Sequence, residues 1–212
     1  EFPTPIQYLD VLTKKYNGPA IYMKRDDLTS LGMGGNKTRK LAFLIGEALE
    51  LGKDTLVTAG GIQSNHCRLT AAAAKKAGLG CHLVLNGTEP KVPNGNLLLD
   101  KIFGAKIHFC DRKDRDEMLF QVANELAKTD KNPYVIPVGG SNGIGSVGYV
   151  NAMLELSLQL KDMDITPDAI IFATSSGGTQ AGLALGAKIT GFKGDVLGIS
   201  IDQNKTGSDP FP

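Results

Sequence analysis

The chain has 212 residues, 42% of them hydrophobic and 21% charged, with a formal net charge of +1. That balance excludes a disordered solvating segment and a strongly basic nucleic-acid surface, and the length suffices for one large or two small cored domains. Aromatic residues make up only 6% and tryptophan is absent, which removes the usual stacking platforms for single strands.

In chain order, short β-prone apolar runs fall at residues 20–24, 55–59, 81–85, 106–110, 134–138, 169–173 and 196–201. Helical periodicity occupies 37–51, 69–77, 114–128, 150–161 and 179–189. Glycines and prolines, such as Gly52, Gly78, Gly104 and Pro167, punctuate the joins. This alternation, with continuously apolar strands, predicts an α/β fold of parallel-rich open sheets flanked by helices. The four strands from Thr55 to Val138 predict a small domain over residues 46–147. Residues 1–45 and 148–212 then form a larger, discontinuous domain, with a ligand crevice between the two. Only a polar loop follows the last predicted strand, where a covering helix is expected, so the chain reads as a fragment of a longer fold.

The chemistry concentrates at glycine-bearing turns. Gly34-Gly35-Asn36-Lys37-Thr38-Arg39-Lys40 crowds three cations into a first helical turn, which is unfavourable unless an anion is nearby. The glycines allow close ligand approach, Asn36 is a natural N-cap, and crowding lowers a lysine pKa toward nucleophilic use. Asp26 and Asp27 read as a charged strand end. Gly60-Gly61-Ile62-Gln63-Ser64-Asn65-His66 opens the next helix, where N–H groups with Ser64 and Asn65 can hold a carboxylate and His66 is a candidate base. Capping alone also explains Ser64 or Asn65, and a packed or capping histidine is the commoner alternative for His66. Thr174-Ser175-Ser176-Gly177-Gly178-Thr179 joins strand to helix as a phosphate cradle, with an ordinary Ser/Gly turn as the alternative. It carries neither the Walker nor the GxGxxG pattern. A nucleophilic lysine beside an anion cradle suits a phosphate-bearing aldehyde, pyridoxal phosphate, and hence an enzyme acting on a small amino acid. A non-catalytic phosphate- or amino-acid-binding module is the alternative.

Gly139-Gly140-Ser141-Asn142-Gly143 matches the G-x-S-x-G elbow of α/β-hydrolases. That fold needs a histidine after its serine, whereas His66, His82 and His108 all precede Ser141. The glycines are therefore expected to make a domain-joining turn or line the crevice. Cys67, Cys81 and Cys110 are odd in number and lack CxxC spacing, which argues against a disulfide framework or zinc ribbon. A reducing compartment follows: the cytoplasm, or an organelle matrix if a leader preceded Glu1. No metal-ligand spacing is present.

Lys24-Arg25-Asp26-Asp27-Leu28-Thr29, the Gly34–Leu41 stretch, Gln63-Ser64-Asn65-His66 and Ser176-Gly177-Gly178-Thr179-Gln180-Ala181-Gly182 together resemble one family. It is that of D-cysteine desulfhydrase and 1-aminocyclopropane-1-carboxylate (ACC) deaminase, pyridoxal-phosphate enzymes of the type II, tryptophan synthase β-like fold. The resemblance implies that Lys37 carries the cofactor as a Schiff base. Lys40 would hold its phosphate with Ser175, Ser176, Gly177, Gly178 and Thr179. Asn65 would bond its phenolic oxygen, and Ser64, a catalytic residue with Lys37, would stand beside the substrate with Asn65 and His66, contacting its carboxylate or shuttling a proton. It also implies a homodimer and α,β-elimination of D-cysteine to pyruvate, hydrogen sulfide and ammonia. ACC deaminase, giving 2-oxobutanoate and ammonia, and a cysteate sulfo-lyase are the alternatives. His66 leans toward the desulfhydrases, because bacterial deaminases tend to carry glutamine there. Family members continue for roughly another third of their chain, which supplies the partner of the pyridine nitrogen and an active-site tyrosine.

Overall fold

The computed structural model describes residues 2–201. Its elements begin with β1 (Ile6–Tyr8), α1 (Asp10–Tyr16), β2 (Tyr22–Lys24), α2 (Lys37–Glu50), β3 (Thr55–Gly61), α3 (Asn65–Ala77), β4 (Gly80–Asn86) and α4 (Gly95–Ile102). They continue with β5 (Lys106–Cys110), α5 (Arg115–Ala127), β6 (Pro133–Val135), α6 (Gly143–Asp162), β7 (Ala169–Thr174), α7 (Gly178–Thr190) and β8 (Asp195–Ser200). No helix among the described residues is long and apolar enough to cross a membrane.

Four strands form a parallel sheet in the order β5-β4-β3-β6. Because strand side chains alternate between faces, β3 and β4 feed two cores. Leu56, Leu83 and Leu85 pack with Leu41 and Leu44 of α2 and Leu69 of α3. Val57, Ala59 and Val84 meet Leu119, Val122 and Ala123 of α5 on the opposite face. β7 and β8 form a separate parallel pair, packed against α6 and α7 through Tyr149, Met153, Leu183 and Ala187. β1 and β2 pair antiparallel.

Strand order reverses between β3 and β6, since β4 and β5 continue to one side of β3 and β6 lies on the other. Ligands of such sheets bind beyond the carboxyl ends of the strands at this switch point. The segments leaving β3 and β6 are the glycine-bearing runs around Ser64 and Ser141.

The structure departs from the sequence expectation in several elements. β1, α1 and α4 have only 3, 7 and 8 residues, too short to reveal a period. α6 begins at Gly143 rather than at residue 150, although glycine is a poor helix former. Packing overrides that propensity: a Cβ at Gly145 would lie 2.1 Å from the Gly140 carbonyl oxygen, and one at Gly148 2.2 Å from that of Arg39. The strand expected over 134–138 ends at Val135, and the chain then turns through Gly139 and Gly140 at φ 70° and 63°.

A buried ion network ties the N-terminal segment and α2 to α6. The Arg39 guanidinium donates to both oxygens of Asp26 at 2.8 Å and to the Glu155 carboxylate at 2.9 and 3.1 Å. It also reaches the Thr4 hydroxyl at 2.9 Å, while the Lys24 amine meets the same Glu155 and bonds Gln159 at 2.6 Å. Burial alone would raise the Glu155 pKa, but the hydrogen bonds from Arg39 and Lys24 hold it down at about 2. This corrects the expectation that the Arg39 charge awaits an external anion: its counter-ions are internal, and Asp26 is one of them rather than a mere strand end.

Glu155→Ala leaves a buried guanidinium short of a partner and is expected to cost about 3–5 kcal/mol in a urea melt. A carboxylate with a depressed folded pKa adds stability above its unfolded value. Wild-type stability should therefore fall as pH drops from 4.5 toward about 2, and this acid loss should be much smaller in Glu155→Ala.

Candidate active site

The approach to Lys37 is a run of left-handed backbone, with φ of 48°, 72°, 73° and 134° at Gly32, Met33, Gly34 and Gly35. Gly34 admits no side chain, since a Cβ would lie 2.0 Å from the Asp27 carbonyl oxygen. The expected Asn36 cap does not form. Its side chain makes no capping bond, and its carbonyl instead accepts from the Tyr149 hydroxyl at 3.3 Å.

Lys37 and Lys40 stand three residues apart on one helix face. The Lys40 amine is buried and donates to the Ser141 hydroxyl at 2.9 Å and the Gly139 carbonyl at 3.3 Å. Lys37 makes no hydrogen bond or ion pair among the described residues. Burial lowers both amines, and repulsion from Lys37 helps bring Lys40 to about 7. Among the described residues no carboxylate offsets either charge. A desolvated cation pair without an internal counter-ion is the electrostatic signature of an anion site.

The cradle opposite is built by α7. Gly177 precedes the helix at φ 78°, and no side chain caps its N-terminus, so N–H groups there remain for an anion. The Ser141 and Ser176 hydroxyls meet at 2.6 Å beside Lys40. Two glycines keep this corner open. A Cβ at Gly178 would lie 2.7 Å from Ser141 Oγ and 2.8 Å from Lys40 Nζ; one at Gly139 would lie 2.7 Å from Ser176 Oγ and 3.6 Å from Lys37 Nζ. A cavity of about 440 Å³ adjoins it between α6 and α7, polar at Ser141, Ser176 and Gly178 and apolar at Val147 and Leu185. Ser175 and Thr179 flank the same turn. Hydroxyls, N–H groups and Lys40 fit a phosphate, and the desolvated Lys37 amine, its pKa lowered by burial, fits an aldehyde; together they fit pyridoxal phosphate.

At the end of β3, Ser64 caps α3 by accepting from the Cys67 N–H at 3.2 Å, which leaves its hydroxyl hydrogen to donate. Asn65 is exposed at the first turn. His66 departs from the expected substrate contact. It is buried, and its Nε2 lies 2.9 Å from the Thr58 hydroxyl, which itself donates to the Ile136 carbonyl at 2.8 Å. Nε2 therefore carries the proton, and Nδ1 is left buried without a partner among the described residues. Burial, with Lys37 and Lys40 nearby, pushes His66 down to about 3, so the ring stays neutral and is a poor general base near pH 7.

Sequence reasoning missed Ser141 as a site residue. Its signal was the glycine-flanked motif after β6, where the serine was weighed only as a hydrolase nucleophile and the glycines as a turn or crevice lining. The motif instead delivers a hydroxyl to Lys40.

Residues 1–211 match the family model described as pyridoxal-phosphate dependent enzyme. The chain belongs to this family. It is 45% identical over 201 residues to a putative ACC deaminase of Pyrococcus abyssi, covering 93% of this chain and 60% of that one. It is 43% identical over 214 residues to D-cysteine desulfhydrase of Salmonella paratyphi B, covering 98% and 65%. A crystal structure described as an ACC deaminase homologue superposes with a TM-score of 0.89 at 43% identity, over 96% of this chain and 62% of that one. The chain thus spans under two thirds of the length of these relatives. The α/β architecture expected from the sequence is the type II fold of pyridoxal-phosphate enzymes.

In this family member, Gly178→Ala should displace the ends of Lys40 and Ser141 without disturbing the helix. The dissociation constant for pyridoxal phosphate, read by absorbance titration, should rise about tenfold or more, with an unchanged urea midpoint.

Proposed function

We propose that the protein is a carbon–sulfur lyase that converts D-cysteine to pyruvate, hydrogen sulfide and ammonia by α,β-elimination. The observation that carries this reading is the Lys37 amine, desolvated and without a hydrogen bond, standing beside the Lys40–Ser141–Ser176–Gly178 cradle. A binding module has no need of such an amine, and family membership supports an enzyme. When bound, pyridoxal phosphate supplies an electron sink for the pair left on Cα after proton loss.

The residues divide the remaining work. With the cofactor bound, Lys37 would hold it at the aldehyde carbon, and Lys37 Nζ would also be the group that takes the Cα proton, for which a lowered pKa suits it. Lys40, Ser175, Ser176, Gly177, Gly178 and Thr179 hold the phosphate, with Ser141 as a further donor to it. Asn65 donates to the phenolic oxygen, and Ser64 donates to the substrate carboxylate. Part of this reading is a division into residues 1–45 with 148–212 and residues 46–147, supported by the separate sheets. α2 is common to both parts, packing on the four-stranded sheet and against α6. A homodimer and a cytoplasmic location complete the proposal.

ACC deamination is the second reading, favoured by the name of the Pyrococcus relative. Assays of the complete protein for sulfide from D-cysteine and 2-oxobutanoate from ACC separate the two. Sulfide release is expected, and release of 2-oxobutanoate alone would reverse the assignment. Lys37→Ala should lower turnover by at least about a thousandfold with the fold intact by circular dichroism. Turnover at the wild-type rate would remove Lys37 from the chemistry.

A further inference from the structure

We infer that Asn96 and Arg68 are positioning residues that decide which end of the Asn65 carboxamide faces the cofactor. The inference rests on the reading that Lys37 holds pyridoxal phosphate. The Asn65 Oδ1 accepts from Asn96 Nδ2 at 2.9 Å and from the Arg68 guanidinium at 3.4 Å. An amide whose oxygen is engaged twice turns its NH2 outward, and that NH2 makes no hydrogen bond among the described residues. The outward end is therefore a donor, as an anionic phenolic oxygen requires. The opposite sense would set oxygen against oxygen.

Both holders are anchored in turn. Asn96, in the first turn of α4, donates its backbone N–H to Gln63 Oε1 at 2.8 Å and its Nδ2 to the Gln63 carbonyl at 2.8 Å. Gln63 Nε2 returns a bond to the Asn94 carbonyl at 3.2 Å. Arg68 is buried and donates to the carbonyls of Gly32 and Gly34, the latter at 3.0 Å. Those carbonyls belong to the left-handed loop that leads into Lys37. One guanidinium thus ties the Lys37 loop to Asn65, two parts that must face the same ligand. A lysine at position 68 lacks the planar fork that reaches both carbonyls.

The test is a spectrophotometric pH titration of the complete protein loaded with pyridoxal phosphate, as wild type, Asn96→Asp, Asn65→Ala and the double variant. In Asn96→Asp the new carboxylate cannot donate to Asn65 Oδ1 and repels it. A donor at the phenolic oxygen stabilises it most when its negative charge is full, in the unprotonated form of the lysine–cofactor linkage. Losing that donor raises the midpoint. Asn96→Asp is expected to raise it by about half a pH unit or more. Asn65→Ala should do the same, and the double variant should match Asn65→Ala alone, because one interaction cannot be lost twice. Arg68→Lys should move the midpoint in the same direction. An unmoved midpoint in Asn96→Asp, or additive shifts in the double variant, would overturn the inference while leaving the cofactor reading intact. A wild-type protein with no titrating band, and no borohydride labelling at Lys37, would overturn both.

Discussion

The buried Arg39 guanidinium is the fixed point about which the site is arranged. It lies on α2 between Lys37 and Lys40, and its hydrogen bonds to Asp26 and Glu155 hold that helix against the N-terminal segment and α6. A buried ion pair adds little net stability over a well-packed apolar substitute, so its value lies in specifying geometry. With Arg39 clasped, the helix has one rotation and the two neighbouring amines have one direction. Close packing reinforces the choice, since Gly148 lets α6 approach the α2 backbone where any side chain would collide with the Arg39 carbonyl.

Within that frame, three cations close in sequence take different roles. Arg39 carries its own counter-ions, whereas Lys40 meets only a hydroxyl and a carbonyl, and Lys37 meets neither. Desolvation without compensation makes charged lysine costly, and the site can relieve that cost by binding an anion or by releasing a proton. In the proposed site, a phosphate at Lys40 would use the first route and an aldehyde at Lys37 the second. The topology supplies the place: the strand-order reversal between β3 and β6 brings the loop bearing Ser64 and Asn65 and the loop bearing Ser141 to the same edge of the sheet.

Much of this was legible in the chain. The run Thr55–Ala59 reads as a buried strand because it is β-prone and mostly apolar, and the structure buries all of it and carries the strand on to Gly61. Lys37 and Lys40 stood out because cations at a helix start are unfavourable without an anion, and the Ser176–Gly178 turn because hydroxyls and N–H groups at a helix start can hold one. The glycine-rich start of α6 was not legible, because its helix is selected by contacts with Arg39 and Gly140 rather than by propensity. The Asn96 partner of Asn65 was hidden for a similar reason, since it lies 31 residues away on α4. His66 looked like a base by residue type, and only its burial against Thr58 shows a neutral ring.

The sequence by itself determined the α/β alternation and marked Lys37 and the Ser176–Gly178 turn as candidates, because period, glycine placement and misplaced charge are local properties. The tertiary structure decided which cation is neutralised, which serine joins the cradle and which way Asn65 turns. Each of these depends on a partner distant in the chain, and pairing across such separations is set by packing, on which local sequence is silent.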